Sequence, residues 1–349
     1  MASSHSIDVA AALEQLLLPH LRIHTTPSKL RDASLAPATL RAYTKQLDNF
    51  LKHSHCSLSR LLRRPPRQID DLLSSYIEHL FASAGSYEYA TQALHGLVHA
   101  CPGLQAHLGE ARLRLRGWRR LKKSVSHPPL TWELTTLFAV QMARWGRHAE
   151  AVATLLAFDC YLRVGELTRI TYADVVQPSD VRLGVPYSGM MVRLGVTKTG
   201  ENQSVELQSK QVQTVLMHYL QAFPFLSAQR IFPFTPDSFR HTLRDVATAL
   251  GMGDVPYVPH SLRHGGATFD FLCGATVEQI MFRGRWASMK SAKRYVQTCR
   301  AQLIIQRIPQ RIGEQARTMA PHIDTVLSML LDHVRSRTAA TFAHRIRLH

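Results

Sequence analysis

At 349 residues the chain exceeds what one ordinary compact core encloses, which sets two domains as the default. Apolar residues make up 45% of it, yet no apolar run approaches the ~18–20 residues that cross a bilayer, and the N-terminus lacks the basic region and apolar block of a secretory signal. Lys and Arg outnumber Asp and Glu by 42 to 25, a net charge of +17, which favours a polyanionic partner, nucleic acid before a membrane surface.

Residues 1–33 read as an N-terminal arm: a polar start, then an amphipathic piece carrying Val9, Leu13, Leu16 and Leu17 that ends near Pro19. From Ser34 to Leu121 the pattern is helical. Leu40, Tyr43, Leu47, Phe50 and Leu51 form one apolar face, with Arg41 and Lys45 off it. Pro65-Pro66 breaks the chain, and a second helix runs from Ile69 to Ala82. A third spans Ser86 to Ala100. The fourth, Leu104 to Leu121, crowds Arg112, Arg114, Arg116, Arg119 and Arg120 into its second half. Residues 122–130, with Lys122, Lys123 and two prolines, have little to bury and read as a flexible linker.

Residues 131–300 form the second domain. Thr131 opens one helix, and the nearly all-apolar stretch Ala149 to Cys160 is a core helix. Arg163 follows it directly and Glu166 begins the next helix, a spacing that an ordinary structural ion pair also satisfies. The alternation of Met190, Val192, Leu194 and Val196, a polar turn, then Val205 and Leu207 predicts a β-hairpin with Lys198 at its tip. The helix from Ser238 to Leu250 is expected to expose Arg240, His241 and Arg244.

The most informative stretch is His260 to Tyr295. His260 and Arg263 share one side of a helical turn, and two short buried helices are expected to meet at Gly274, carrying Phe269, Leu272, Val277, Ile280 and Met281. Trp286 lies 23 residues beyond Arg263, and Tyr295 a further nine. Arg285 gives this stretch the unusual local context RGRW. Donors and a phenol in a basic background lack the carboxylate cluster of a metal-dependent nuclease. The pairs His20/His24, His95/His99 and His260/His264 have no acidic or Cys residue at ligand spacing, so no metal or cofactor is expected. Five scattered cysteines without C-x-x-C indicate a reducing, intracellular setting, cytoplasm or nucleoid in a prokaryote and nucleus in a eukaryote.

His260-x-x-Arg263, then Gly284-x-Trp286, then Tyr295, preceded by Arg163-x-x-Glu166-Leu167 and Thr197-Lys198-Thr199, resembles the tyrosine recombinase (phage integrase) family, with Trp where His is commoner. The resemblance implies a mainly α, two-domain, C-shaped DNA clamp. A helical core-binding domain would precede an α-rich catalytic domain with a small antiparallel β-sheet. It implies Tyr295 as nucleophile and Arg163, Lys198, His260, Arg263 and Trp286 as the groups that act on the phosphate. Glu166 and His264 are expected to support them from behind. The activity implied is site-specific DNA recombination through a 3′-phosphotyrosyl intermediate, with neither metal nor ATP.

Arg41, Lys45, Arg116, Arg119, Arg120, Lys122, Lys123, Arg240, His241 and Arg244 are the candidate contacts to double-stranded DNA. Beyond the catalytic domain, residues 301–349 read as a helical tail. Its stripe Ile323, Val326, Leu327, Leu330, Leu331 and Val334 either packs on its own domain or, as the resemblance suggests, exchanges between protomers of a homo-tetramer. A type IB-like topoisomerase and a non-catalytic DNA-binding relative are the alternatives.

Overall fold

Serine, threonine and proline at helix starts, and apolar residues at helical spacing between them, make this protein mainly α with one small antiparallel sheet. The computed structural model describes residues 29–122, 127–178, 188–197 and 200–346, with Asp180, Arg182 and Gly184 besides. The arm up to residue 28 with His20 and His24, Lys123 and the hairpin-tip Lys198 lie outside the described residues. The chain divides into two compact units, Met1–Val125 and Ser126–His349.

In the first unit the helices are α1 (Lys29–Ala33), α2 (Pro37–His53), α3 (Leu58–Leu61), α4 (Pro66–Ala82), α5 (Tyr87–Ala100) and α6 (Gly109–Leu121). Pro66 sits at the first position of α4, where its missing N–H costs nothing. Ser86 caps α5 by accepting from the Glu88 N–H. Phe50, Leu61, Leu73, Ile77, Leu97 and Trp118 pack the core. The buried carboxylate of Asp70 accepts from the N–H groups of Glu110 and Ala111 at 2.9 Å each, which ties α4 to the start of α6. The fourth predicted helix is shorter than its periodicity suggests. Pro102–Ala106 makes a separate 3₁₀ turn that buries Leu104, and α6 starts only at Gly109.

The second unit contains α7 (Trp132–Arg144), α8 (His148–Asp159), α9 (Val164–Leu167), β1 (Val175–Val176), β2 (Met191–Thr197) and β3 (Gly200–Glu206). It continues with α10 (Lys210–Ala222), α11 (Pro236–Ala249), α12 (Pro259–Leu272), α13 (Val277–Arg283), α14 (Met289–Lys293), α15 (Thr298–Ile305), α16 (Gln310–Met319) and α17 (Ile323–Ile346). The sheet order is β1-β2-β3, all antiparallel, with Val175 opposite Val192 and Val192 opposite Val205. Two-residue β1 is too short to show alternation in the sequence.

One feature departs from the sequence reading. The pair of helices meeting at Gly274 is not buried throughout: Phe269, Phe271 and Leu272 at the end of α12 and Phe282 in α13 are exposed, whereas Ile280 is buried. The first half of α12 holds the burial instead, because Gly265 and Gly266 let backbone come close. A Cβ there would sit 1.9 Å from the Leu130 carbonyl oxygen and 2.1 Å from that of Phe158. The last helices also join the core. Ile304, Ala316, Ile323, Leu327 and Leu331 pack with residues of α7 and α10 in one hydrophobic cluster, so the stripe of α17 is covered by its own unit. Among the described residues no helix is long and apolar enough to cross a membrane.

Candidate functional site

Two chain reversals set the site's geometry. After α8, Tyr161 takes a left-handed conformation (φ 49°); its N–H donates to the Phe158 carbonyl, and the Leu162 N–H donates to that of Ala157. After α13, Arg285 does the same (φ 55°), with N–H bonds from Arg285 to Phe282 and from Trp286 to Met281. Both are Schellman closures, which turn the chain sharply out of the helix. The first delivers Arg163 to the start of α9, and the second delivers Trp286. Gly284 is required beside it, since a Cβ there would lie 2.0 Å from the Trp286 ring.

Arg263, on α12, is fully buried. Its guanidinium donates to the Tyr161 carbonyl and, at 2.6 Å, to that of Gly284, so both chain reversals hold it. It stacks 4.5 Å from the Trp286 ring centroid and 5.2 Å from that of Tyr295. Burial and the guanidiniums of Arg163 and Arg285 push its pKa below the ordinary value. The Tyr161 ring in turn stacks on Trp286, and its hydroxyl donates to Asp270, which Arg283 bridges to Asp159.

Glu166 is buried and holds three donors. Its Oε1 accepts from Arg163 Nη1 at 2.7 Å, and its Oε2 accepts from the Arg163 backbone N–H and from Arg285 Nη2, both at 2.9 Å. Burial alone would raise this carboxyl; Arg285 and Arg163 outweigh it and hold the pKa below the ordinary value.

Tyr295 lies in the turn between α14 and α15, half-buried, its ring between His264 (centroids 4.6 Å) and Trp286 (4.5 Å). Its hydroxyl is 3.1 Å from His260 Nε2. Although His260 is exposed, the protein around its ring and the charges of Arg263, His127 and Arg163 lower its pKa, so it is neutral at pH 7 and can accept that proton. His264 is buried, and its pKa is pushed down to about 4 by burial and then by His260. Its Nδ1 is 3.2 Å from the Gln297 amide nitrogen.

The structure therefore brings together Arg163, Glu166, His260, Arg263, His264, Trp286 and Tyr295. The Trp286 indole N–H is buried without a partner among the described residues, and its ring lies between Arg263, Tyr161 and Tyr295. Arg285 is the site residue that sequence reasoning left without a role. Among the described residues, no group of His, Cys, Asp and Glu is arranged to hold a metal.

The candidate DNA contacts fall in two places. Arg41 and Lys45 on α2, and Arg116, Arg119 and Arg120 on α6, are exposed in the first unit. Arg119 lies over the Tyr87 ring, and Lys122 lies 4.5 Å from the Phe81 ring centroid. In the second unit His241 and Arg244 on α11 are exposed, while Arg240 is paired with Asp237 and only half-exposed.

No family model and no curated relative matches the sequence. In fold the chain is similar to solved recombinases and integrases. The XerA recombinase matches with 15% identity, 80% of this chain, 94% of that chain and a TM-score of 0.39. The Tn1549 transposon integrase in complex with circular intermediate DNA matches with 15% identity, 76% of this chain, 98% of that chain and a TM-score of 0.46. The lambda integrase dimer bound to a core site matches with 15% identity, 84% of this chain, 88% of that chain and a TM-score of 0.47.

Proposed function

We propose that this protein is a site-specific DNA recombinase that cuts and rejoins DNA through Tyr295. The observation that carries the reading is the Tyr295 hydroxyl, 3.1 Å from a neutral imidazole and beside a guanidinium cluster with an excess of positive charge. A phenol with an ordinary pKa near ~10 is a weak nucleophile at neutral pH unless a base takes its proton as the bond forms. In the proposed step the Tyr295 oxygen bonds to phosphorus, its proton passes to His260, and the bond to the 5′ oxygen breaks. Lys198 is the candidate acid that protonates this leaving oxygen. Arg163 and Arg263 stabilise the charge that builds on the non-bridging oxygens. Arg263 is covered by the Tyr295 ring, so movement of that ring toward phosphorus also uncovers the guanidinium.

The product is a 3′-phosphotyrosyl bond that conserves the energy of the broken one, so rejoining needs no ATP, and the residues supply the charge that a metal otherwise would. Attack by a 5′ hydroxyl from a second duplex completes exchange. Because exchange between two duplexes breaks four strands, the assembly proposed is a homo-tetramer on two sites, with the two units closing on DNA as a clamp. Exchange of a C-terminal helix between protomers is part of this proposal only for residues beyond the covered stripe of α17.

The test is incubation with a pool of nicked duplexes of randomised sequence, without magnesium, followed by denaturing electrophoresis. A denaturant-resistant adduct on a subset of sequences is expected, and Tyr295→Phe should bind DNA but form none. An adduct on every duplex, with supercoil relaxation by a monomer, would make the protein a topoisomerase. DNA binding with no adduct would make it a non-catalytic binder.

A further inference from the structure

The oddest residue near Tyr295 is Arg285. It occupies the left-handed position of a Schellman closure, where glycine is the default because a Cβ crowds the backbone there. In the second unit, Gly146, Gly251 and Gly274 fill the same position after α7, α11 and α12. In the first unit His55 and Ala84 take it, both exposed. Among the described residues only Tyr161 and Arg285 combine the conformation with a buried side chain, and both adjoin Arg263. Backbone strain of this kind persists where the side chain is held for a purpose.

The contacts indicate the purpose. The Arg285 side chain is 7% exposed, and Nη2 meets Glu166 Oε2 at 2.9 Å, while Nε and Nη1 are buried without partners. A closed buried pair of Arg163 and Glu166 would leave no net charge at that end of the site for an anion. With Arg285 present, three guanidiniums (Arg163, Arg263 and Arg285) stand against the one carboxylate. Among the described residues its side chain bonds to Glu166 alone, and through that carboxylate it is linked to Arg163. We propose that Arg285 is a positioning residue for a phosphodiester: by clamping Glu166 it fixes the Arg163 guanidinium, and it restores to the site the positive charge that Glu166 removes. This rests on the reading that the site receives a phosphodiester.

The test compares charge with shape in the full chain. Arg285→Lys keeps the charge and a donor to Glu166; Arg285→Gln keeps a donor and loses the charge. Adduct formation on the nicked-duplex pool should fall on the order of tenfold or more in Arg285→Gln and be largely retained in Arg285→Lys. In an Arg163→Ala background the same Arg285→Gln change should have a smaller effect, because its charge is still lost but there is no Arg163 guanidinium left to fix. A second readout is independent of DNA cleavage: stabilisation of the melting temperature by inorganic orthovanadate should follow the same order and the same non-additivity. If wild type forms no adduct, the recombinase reading fails by that control, and the vanadate series still decides the role of Arg285. Equal behaviour of the Lys and Gln variants, or an undiminished effect without Arg163, would overturn the proposal.

Discussion

Tyr295 is held between two rings and one proton acceptor, and each contact has a separate consequence. His260, with its pKa lowered, stays neutral to more acidic pH than a free imidazole. The acidic limb of adduct formation, where His260 protonates, should therefore lie at lower pH than it would for a free imidazole. A pH–rate profile checks this, and His260→Ala should be slower and lack that acidic limb. His264 affects stability. Folded, its pKa is about 4, against 6.5 when unfolded, so the unfolded chain binds the extra proton between those values. Stability is thus complete above pH 6.5 and lost as pH falls toward 4, by on the order of 3 kcal/mol at most for this group. Melts from pH 7 to 4.5 should show a smaller decline in His264→Phe, which keeps the stacked ring and cannot protonate.

Helix ends, more than helix bodies, shape the site. The bodies were legible: Thr131 caps α7 by accepting from the Leu134 N–H, and the apolar run from Ala149 to Cys160 is the buried α8 within one residue at each end. The reversals at Tyr161 and Arg285 were not, because neither carries the glycine that marks such a turn. Close approach of backbones is the other element-scale device. In Gly266→Ala the new methyl meets the Phe158 carbonyl oxygen, which no rotamer change relieves. A loss of about 3 kcal/mol is expected, lowering the melting temperature by roughly 6 °C or more in calorimetry. Retention of the wild-type melt would contradict the packing of α12 on α8.

For the molecule as a whole, the excess of basic residues and the last helix matter most. If Arg119 and Arg120 contact phosphates, Arg119→Ala or Arg120→Ala should each reduce the slope of log affinity against log salt by about 1, without changing sequence preference. Unchanged slopes would leave the exposed face of α6 merely solvated. The final helices are expected to be indispensable for folding. Truncation after Met319 removes Ile323, Leu327 and Leu331 from the core, so the protein should lose its cooperative melt. A truncated chain that melts like the full one would show that α17 contributes nothing to that core.

The sequence by itself determined the helical character, the hairpin, and the order and spacing of Arg163, His260, Arg263, Trp286 and Tyr295. Each of these is written in periodicity or in short motifs that a single element realises. Tertiary structure alone decided that Phe269 and Leu272 face outward, that α17 lies on its own unit, and that Arg285 shares Glu166 with Arg163. Glu166 and Arg285 are 119 residues apart. Charge pairing and burial over such a separation depend on which surfaces meet after folding, and no local pattern in the chain records that.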